Sequence, residues 1–563
     1  MGDRGGASLQ WLAVRRPVLT LLLFSFLVFG IGLGRQAITE ADEAYYAEAS
    51  REMVASGDWL TPHFNYEDRW QKPVLYYWLT AAVYRVTGTG EGAARFWSAV
   101  SGAGLVLVVW ATARRAASTR AHAWLAGAIT ATCYGYFAMA RSALPDLPLA
   151  FCVTLTVSSI FAAFDARERG ALRWWLLAGL ATGLGCLMKG PVAIVVPALA
   201  IVLPWWLERR TLAVRWSHVA AAAALATLVA LPWYVAMVVR HGAAYVESFL
   251  VGDNLERFTT TRFNETRPIW FYLPVIAGGL MPWSAFAVGA AAAGVGGLAR
   301  RQWRPSRDDL RLLFWAVVPT LFFMASVGQQ PRYVLPVLPP LAILTARAIG
   351  ERIEAARTHP RTALLAGATW ATAATLVLCA ALLYRLQPLL EATPPAILAT
   401  SVIGIAAGGA ALAIVALRGA WPALPLAAAA AAATLLLGLQ FSVLAPGRPD
   451  AVERIAASVA AHRTGGEPLG SLHAFTRNLI FYTGLKQLDL VDVAGAARFL
   501  AQDGRVLVVL LERDVAAVSA ALPTPLRVLA RVRHLNTATL RLRSVLDPNP
   551  DKELETVVLA ANR

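Results

Sequence analysis

The chain has 563 residues, of which 57% are hydrophobic and 15% are charged, and its mean hydropathy is +0.53. Soluble domains carry about 25% charged residues, so the composition excludes a string of soluble domains, as well as disordered, fibrous and disulfide-rich secreted chains. The net charge is +16, but the basic residues form short clusters between apolar stretches, which is typical of cytoplasmic loops rather than of a nucleic-acid surface. We therefore predict a multi-pass α-helical membrane protein that does not bind nucleic acid.

Apolar stretches of the length needed to cross a bilayer predict about thirteen transmembrane helices. The first follows basic residues and is not followed by a small-residue cleavage site, so we expect an uncleaved membrane helix rather than a signal peptide. The four cysteines all lie within apolar stretches without metal-ligand spacing, which indicates core residues. The predicted spans are 17–37, 95–113, 122–140, 147–164, 172–188, 190–207, 217–239, 269–297, 311–327, 333–349, 362–384, 395–417 and 421–445.

One short apolar segment, 73–86, decides the orientation of the chain. If it does not span, the arginine clusters of the later loops fall on the same side as Arg15 and Arg16; if it spans, they fall on the opposite side. The positive-inside rule favours the first arrangement. We therefore expect 73–86 to be an amphipathic helix on the outer membrane surface, within one long extracytoplasmic loop, 38–95.

Thirteen spans place the C-terminal region outside the cytoplasm, and its composition there becomes that of a soluble domain. Residues 450–462 have helical periodicity, 505–511 is typical of a buried strand, and 527–533 with 537–543 alternate like a hairpin. The predicted organisation is a transmembrane domain (1–446, with a second large outer loop at 240–268) and a small extracytoplasmic α/β domain (447–563).

Charged residues near the ends of membrane spans are energetically costly and are candidates for function. Asp42 and Glu43 follow the first span. They can begin a helix, where carboxylates favour the N-terminal dipole, or they can lie at the membrane surface and accept a proton or orient an acceptor. Asp146 leaves the same choice open, between a helix cap and a second acidic site residue.

Cationic residues lie on the same predicted face. Lys72 precedes Pro73 at headgroup level, where it can extend to water or hold a phosphate. Lys189 lies in a turn between two spans. Four outer arginines, among them Arg257, run against the positive-inside trend, and Tyr333 follows an arginine at the outer mouth of a span. Carboxylates together with lysine, arginine and tyrosine suit a phosphate-bearing lipid whose headgroup lies at the interface.

The segment EADEAYYAEASREMVASGDWLTPHFNYEDRWQKPVLYYWL resembles the first extracytoplasmic loop of bacterial 4-amino-4-deoxy-L-arabinose (L-Ara4N) transferases. These enzymes belong, with protein O-mannosyltransferases and oligosaccharyltransferases, to the GT-C class of polyprenyl-phosphate-dependent glycosyltransferases. The stretches ARSALPDLPLAF, CLMKGPVAIVVP and QQPRYVLPVLPPLAIL are similar to the same family. The chain departs from it in two motifs: Gln329 stands where a lysine is usual, and Trp70-Gln71 precede Lys72-Pro73 where Phe-Glu is often found. These departures bear on the sugar more than on the reaction class.

The resemblance implies a GT-C fold and specific roles for the residues above. It implies catalytic carboxylates at Asp42 and Asp146, with Glu43 beside Asp42. The residues implied to hold the donor phosphate are Lys72, Arg257, Tyr333 and Lys189. No nucleotide cofactor is required, because a lipid-linked sugar is already activated. A divalent metal can gather at the three carboxylates, although no spacing requires one.

The implied reaction moves L-Ara4N from undecaprenyl phosphate to a lipid A phosphate on the periplasmic face of the bacterial inner membrane, which confers resistance to cationic peptides such as polymyxin. The same chemistry on a protein hydroxyl or on another envelope glycolipid is the nearest alternative. A transporter or flippase for a lipid-linked sugar is a rival of another class, which predicts charged pairs near the bilayer centre and often internal repeats. The sequence instead has most charges at the interface and no evident repeat. A purely structural membrane scaffold is the remaining rival.

Overall fold

The computed structural model describes residues 15–116, 118–166, 168–212, 214–256, 259–260, 267–300, 304–358 and 362–563. Within these ranges the chain is a large set of apolar helices followed by a mixed β-sheet with helices on both faces. Most of the buried side chains form one continuous core between the helices, and two smaller cores lie on the two faces of the sheet.

The helices before residue 257 build the segment 38–95 and the first group of apolar segments. They are α1 (Pro17–Gly30), α2 (Ala41–Ser56), α3 (Leu75–Thr87), α4 (Glu91–Arg115), α5 (Arg120–Thr132), α6 (Tyr134–Ala140), α7 (Asp146–Asp165), α8 (Glu168–Lys189), α9 (Val192–Glu208) and α10 (Trp216–Val246), which continues as a wider π-helical segment (Glu247–Glu256). A short antiparallel hairpin of β1 (His63–Phe64) and β2 (Glu67–Asp68) lies between α2 and α3.

The helices from 269 to 444 complete the apolar part. They are α11 (Tyr272–Gly279), preceded by a 3-10 turn (Ile269–Phe271), α12 (Ser284–Ala299), α13 (Arg307–Met324), α14 (Leu338–Ala355), preceded by a 3-10 segment (Pro331–Val337), α15 (Ala363–Arg385), α16 (Pro395–Arg418) and α17 (Leu424–Leu439), which ends in a π-helical turn (Gln440–Leu444).

Eight helical segments of the described residues are long and apolar enough to cross a membrane, and four shorter helices are also apolar. The chain is therefore a multi-pass membrane protein, as the composition predicted. The exact number of spans, thirteen, stays a prediction. The eight segments are Glu91–Arg115, Asp146–Asp165, Gly170–Lys189, Trp216–Glu256, Pro331–Ala355, Ala363–Arg385, Pro395–Leu417 and Trp421–Leu444.

Two predicted spans are broken helices. The segment 122–140 divides at Cys133, whose backbone is extended, and 269–297 divides between α11 and α12, where Pro282 interrupts the helical hydrogen bonds. The two breaks meet, because the backbone N–H of Tyr134 donates to the carbonyl of Met281 at 2.9 Å. A polar backbone group freed by one helix break is thus satisfied by the neighbouring break, as an apolar environment requires.

The segment predicted to be interfacial forms α3, which at 13 residues reaches only about 20 Å and is too short to cross the hydrocarbon core. Helix α3 buries Tyr76, Tyr77 and Tyr84, while Val86 is exposed. The one-sided burial agrees with the predicted amphipathic character. Its place at the outer membrane surface stays a prediction.

The C-terminal sheet has the strand order β4–β3–β5–β7–β6, in which β4, β3 and β5 are parallel and β7 is antiparallel to both of its neighbours. Alternate residues of the central strand enter different cores, as expected for a strand covered on both faces: Leu507 and Val509 lie in one core, Val508 and Leu510 in the other. The elements are α18 (Ala451–His462), β3 (Leu469–Leu472), α19 (Leu479–Thr483), β4 (Gln487–Asp489), α20 (Val493–Leu500), β5 (Leu507–Leu511), α21 (Glu512–Ala520), β6 (Arg527–Leu535), α22 (Leu542–Leu546), α23 (Pro550–Glu553) and β7 (Leu554–Ala561).

The predicted helix at 450–462 and the predicted strand at 505–511 are confirmed as α18 and β5, but the predicted hairpin is wrong. Residues 527–533 are part of β6, whereas 537–543 form no strand, and the chain turns instead into α22. The partner of β6 is β7, 19 residues further along, paired from Leu535↔Leu554 onward. The reason is burial: β7 supplies a fully apolar run that enters both cores, while most residues of 537–543 are exposed.

The C-terminal domain docks on the segment 38–95 through directed hydrogen bonds. The Ile38 N–H donates to the hydroxyl of Tyr482 at 2.7 Å, and the Asn478 side-chain amide donates to the Ile38 carbonyl at 3.2 Å. Asn65 exchanges two hydrogen bonds with the backbone of Gln487, both at 2.8 Å. The sheet domain therefore contacts both the chain segment that leads into α2 and the β1–β2 hairpin.

Candidate functional site

A cavity of about 390 Å³ lies between α7, the turn from α8 to α9, the Glu247–Glu256 segment, the end of α13 and the 3-10 segment before α14. Most of its wall is apolar, and its charged residues come from five separate parts of the chain. The polar and charged lining residues include Lys72, Asp146, Lys189, Asp253, Asn254, Ser326, Arg332 and Tyr333.

Asp146 and Lys189 form one ion pair at the cavity wall. Asp146 begins α7 directly after Pro145 and makes no capping hydrogen bond, so the helix-cap interpretation is not supported. Lys189 is the last residue of α8, where a cation complements the C-terminal end of the helix dipole. Its ammonium pairs with the 5% exposed Asp146 carboxylate and lies 5.3 Å from the centre of the Tyr333 ring. The cavity therefore holds these three predicted site residues in contact.

Lys72 lies on the same cavity and is paired with a carboxylate that the sequence analysis missed. Its ammonium is 3.2 Å from Asp253 and donates to the carbonyl of Gln71 at 2.9 Å. Both side chains are largely buried, so Lys72 does not extend to bulk water. Arg257, the remaining predicted phosphate ligand, lies outside the described residues.

Asp42 lies in the first turn of α2 and pairs with Arg332. The guanidinium of Arg332 also lies 3.7 Å from Asp146 and 3.9 Å from Glu40. Asp42 is 42% exposed and Arg332 is 17% exposed. One arginine of the cavity wall thus links the two predicted catalytic carboxylates, with Asp42 on the open side.

The electrostatic surroundings separate Asp42 from its neighbour Glu40. Partial burial opposes ionisation of Asp42, but Arg332, followed by Arg69 and Arg477, outweighs it and holds the pKa of Asp42 below its usual value. Partial burial and the nearby Glu43 raise the pKa of Glu40 to about 7, against the opposing effect of Arg332. Asp42 is therefore ionised at neutral pH, while Glu40 is the harder of the two carboxyl groups to ionise.

Glu43 is not placed with the other predicted catalytic carboxylates. It is buried beneath α2, where it accepts two hydrogen bonds from Arg95, at 2.7 and 2.9 Å, and one from the backbone N–H of Ala143 at 2.7 Å. Arg95 also donates to three carbonyls of the segment before α2, those of Leu33, Gln36 and Ala37. These contacts give Glu43 a structural role: it helps to hold α2, and with it Asp42, against α4 and the start of α7.

The three predicted carboxylates do not converge on one point. Asp42 and Asp146 share Arg332, and Asp146 also pairs with Lys189, whereas Glu43 pairs with Arg95 apart from them. No group of three or more His, Cys, Asp or Glu side chains suited to a metal ion occurs in the described part of the chain.

Two residues of the site escaped the sequence analysis for different reasons. Arg332 stands at the mouth of a predicted span, and its position beside Tyr333 is the sequence signal that identifies it. Asp253 lies in a segment without periodic pattern, and only the fold brings it to Lys72.

The family described as "Dolichyl-phosphate-mannose-protein mannosyltransferase" matches residues 18–244. The chain is 33% identical, over 371 residues, to the undecaprenyl phosphate-alpha-4-amino-4-deoxy-L-arabinose arabinosyl transferase of Edwardsiella ictaluri, which covers 64% of this chain and 65% of the relative. It is 34% identical over 348 residues to the transferase of the same name from Pseudomonas aeruginosa strain LESB58, which covers 60% of this chain and 61% of the relative. The chain thus spans less than two thirds of the length of these curated relatives.

Solved structures share the fold over nearly the whole chain. ArnT from Cupriavidus metallidurans bound to undecaprenyl phosphate has a TM-score of 0.71 at 22% identity and covers 97% of this chain and 98% of its own. The oligosaccharyltransferase of Archaeoglobus fulgidus has a TM-score of 0.54 at 14% identity and covers 90% of this chain and 71% of its own. The predicted resemblance to L-Ara4N transferases and protein mannosyltransferases is confirmed, and so is the GT-C fold.

Proposed function

We propose that this chain is a glycosyltransferase that moves a sugar from undecaprenyl phosphate to an acceptor. The observation that carries the proposal is the cavity, whose largely apolar lining also holds Lys72, Lys189 and Tyr333, and whose Arg332 pairs with Asp42. A polyprenyl chain needs an apolar channel, and its phosphate needs cationic and hydroxyl donors at the end of that channel. Both requirements meet in this one cavity.

The donor phosphate is the leaving group, so negative charge develops on it as the glycosidic bond breaks. Lys72 and Lys189 are each held in place by a carboxylate, Asp253 and Asp146. Cations fixed where charge develops stabilise the transition state without reorganising. Because the lipid-linked sugar is already activated, we propose that the reaction needs no resident cofactor.

Asp42 is the carboxylate we assign to the acceptor. It is ionised, partly exposed and oriented by Arg332, which also approaches Asp146. In this arrangement Asp42 orients or deprotonates the acceptor. Asp146, buried against Lys189, positions the cations of the donor site.

For the substrates, we propose L-Ara4N as the sugar and a lipid A phosphate as the acceptor. Support comes from the names of the relatives in E. ictaluri and P. aeruginosa. An amino sugar on the phosphate lowers the negative surface charge, so resistance to cationic peptides such as polymyxin follows. The reaction then takes place on the periplasmic face of the inner membrane, where the outer loop 38–95 and the C-terminal domain 447–563 also lie.

A second candidate is the same transfer to a protein hydroxyl. The match of residues 18–244 to the protein mannosyltransferase family favours it. A hydroxyl must lose a proton during attack and depends strongly on a general base, whereas a phosphate is already anionic at neutral pH.

One experiment separates the candidates. The purified full chain is given undecaprenyl-phosphate L-Ara4N with lipid A in one arm, and undecaprenyl-phosphate mannose with serine- and threonine-containing peptides in the other, and the products are weighed by mass spectrometry. We expect addition of one or two L-Ara4N groups to lipid A only. Glycosylated peptide without modified lipid A would favour the second candidate, and no product in either arm would contradict the proposed chemistry.

The orientation is tested separately by cysteine labelling in intact cells. We expect an impermeant reagent to label cysteines introduced in 38–95 and after 447, and not at Arg304. Labelling at Arg304 from the outside would overturn the orientation.

A further inference from the structure

Asp42 has three guanidinium groups around it, and two of them are not explained by the donor cavity. Arg332 pairs with Asp42 and lines the cavity, whereas Arg69 and Arg477 are not among its lining residues. Both of these act on Asp42 through space and favour its ionised form. Among the residues that the structure describes, neither forms an ion pair with a carboxylate.

The two arginines contact the same aromatic ring. The guanidinium carbon of Arg69 lies 3.8 Å from the centre of the Tyr45 ring, and that of Arg477 lies 4.9 Å from it. Tyr45 is three residues after Asp42 in α2, so the two side chains emerge from neighbouring positions on one side of the helix. Arg69 comes from the outer loop after the β1–β2 hairpin, and Arg477 comes from the C-terminal domain, between β3 and α19.

The position of Arg477 is imposed by the interface between the two parts of the chain. The adjacent Asn478 is buried and donates to the carbonyl of Ile38, three residues before α2 begins. In the same loop, His473 and Phe475 adopt left-handed backbone conformations, with φ of 59° and 50°. Such residues rarely adopt this conformation unless their surroundings require it. The loop is therefore held in a shape that brings Arg477 to Tyr45.

The charges nearby leave a cationic surplus on this side of Asp42. Asp42 and Asp146 are matched by Arg332 and Lys189. Arg69 donates a hydrogen bond to the hydroxyl of Tyr77 at 3.3 Å, which leaves its positive charge without a carboxylate at ion-pair distance among the described residues. Two guanidinium groups that share one ring repel each other, and an anion that accepts hydrogen bonds from both relieves the repulsion. Their planar donor sets match the oxygens of a phosphate.

We propose that Arg69, Tyr45 and Arg477 form a second anion site, which holds the phosphate monoester of the acceptor next to Asp42. The proposal rests on the proposed function, since it assigns the acceptor of that reaction. It also gives the C-terminal domain a direct part in substrate binding, through Arg477.

The transfer step follows from this placement. An oxygen of the acceptor phosphate forms a bond to the anomeric carbon of the sugar, and the bond from that carbon to the donor phosphate oxygen breaks. Undecaprenyl phosphate leaves with the electron pair and is stabilised by the cations of the cavity. If the attacking oxygen carries a proton, Asp42 takes it.

The test compares Arg477→Ala and Arg477→Lys with Arg498→Ala, which removes an exposed arginine from another part of the same domain. Initial rates of the full-length protein are measured against the concentration of lipid A and of donor. A charge-assisted phosphate contact is worth about ten- to a hundredfold in affinity. We expect Arg477→Ala to raise the acceptor KM by that factor, Arg477→Lys to recover part of it, and Arg498→Ala to have no effect. Donor KM and the thermal midpoint stay unchanged in all three variants.

A binding measurement separates this site from the proposed function. Native mass spectrometry of the same proteins compares phosphorylated with enzymatically dephosphorylated lipid A, without donor. Binding that needs both the phosphate and Arg477 supports the site even if the wild-type protein transfers no sugar, in which case only the proposed function fails. If Arg477→Ala keeps the wild-type acceptor KM and lipid A binding, the site is overturned. The site is also overturned if Arg477→Ala loses donor and acceptor binding equally. In both cases the proposed function still stands.

Discussion

Replacement of Asp42 by asparagine tests the proposed chemistry most directly, because the change keeps the shape of the side chain and removes its charge. Asparagine can still accept a hydrogen bond from Arg332, and α2 does not depend on Asp42 as a cap, since the helix begins at Ala41 without a side-chain capping bond. The substitution therefore removes basicity and one ion pair and little else.

The expected loss of stability is small. Asp42 is 42% exposed and its partner is 17% exposed, and pairs this open to solvent contribute about 0.2–1 kcal/mol. If Asp42 acts at the reacting centre, Asp42→Asn should lose activity about a hundredfold or more. This loss corresponds to about 2.7 kcal/mol in the activation free energy. The loss of the ion pair is too small to account for an effect of that size through unfolding.

The assay is transfer of L-Ara4N to lipid A at saturating donor, with thermal melting of the same samples. Asp68→Asn is the matched control, because Asp68 lies in the same segment, 38–95, and is also 42% exposed. It pairs with His63 at 3.1 Å, and neither residue lines the cavity. We expect the control to keep its activity and Asp42→Asn to lose it, with similar melting curves. An Asp42→Asn protein that transfers at the wild-type rate would refute the reasoning, and the catalytic role would then be sought at Asp146 with the same substitution.

Three further predictions concern the donor site, the support of α2 and the dependence on pH. Lys72→Ala is expected to weaken binding of undecaprenyl phosphate about ten- to a hundredfold, measured by native mass spectrometry. The double variant Lys72→Met with Asp253→Asn should recover the thermal stability lost with the buried pair. If the double variant also recovers lipid binding, the assignment of Lys72 to the phosphate is contradicted. Glu43→Gln breaks a buried ion pair with Arg95 and should destabilise the protein by about 3–5 kcal/mol, which lowers the melting temperature. Its activity per folded molecule should fall less than that of Asp42→Asn. A Glu43→Gln protein that is stable but inactive would argue for a chemical role. Burial, together with a neighbouring glutamate, raises the pKa of Glu52 to about 7 from its ordinary 4.5, so the folded state binds more protons than the unfolded state and this contribution to stability is lost as pH rises from about 4.5 through 7. Glu52→Gln should therefore melt like wild type at pH 5 and at a higher temperature at pH 8, and equal melting of the two proteins at pH 8 would show that Glu52 does not titrate in this range.

In the C-terminal sheet domain, local sequence patterns predict single helices and strands but not which strands pair. The helix at 450–462 and the strand at 505–511 follow from periodicity, because a buried face imposes its repeat on the residues that form it. The partner of β6 does not follow from any local repeat. Residues 537–543 alternate as a strand would, yet β7 takes the place beside β6, since only its apolar residues fill the cores on both faces of the sheet.

Hydropathy does not predict the breaks within apolar helices, for a similar reason. An apolar segment such as 122–140 has the composition of one span, but its break at Cys133 is stabilised by a backbone hydrogen bond from Tyr134 to the distant Met281. The partner of a freed backbone group is a property of the assembled helices and not of either segment.

For this protein, composition and the distribution of arginine alone determine a multi-pass helical chain and predict which loops share a side, since burial in lipid and charge near its surface are properties of single segments. The same reasoning singles out Asp42, Lys72, Asp146, Lys189 and Tyr333, because charged or polar residues at span ends are costly wherever they occur. Only the tertiary structure decides how they pair: Asp253 comes to Lys72, Arg332 links Asp42 to Asp146, Glu43 turns inward to Arg95, and Arg477 reaches Tyr45 from a separate domain. Pairing depends on contacts between residues that are far apart along the chain. Glu43 and Arg95 are 52 positions apart, and Asp42 and Arg332 are 290 positions apart. No local sequence pattern contains that information.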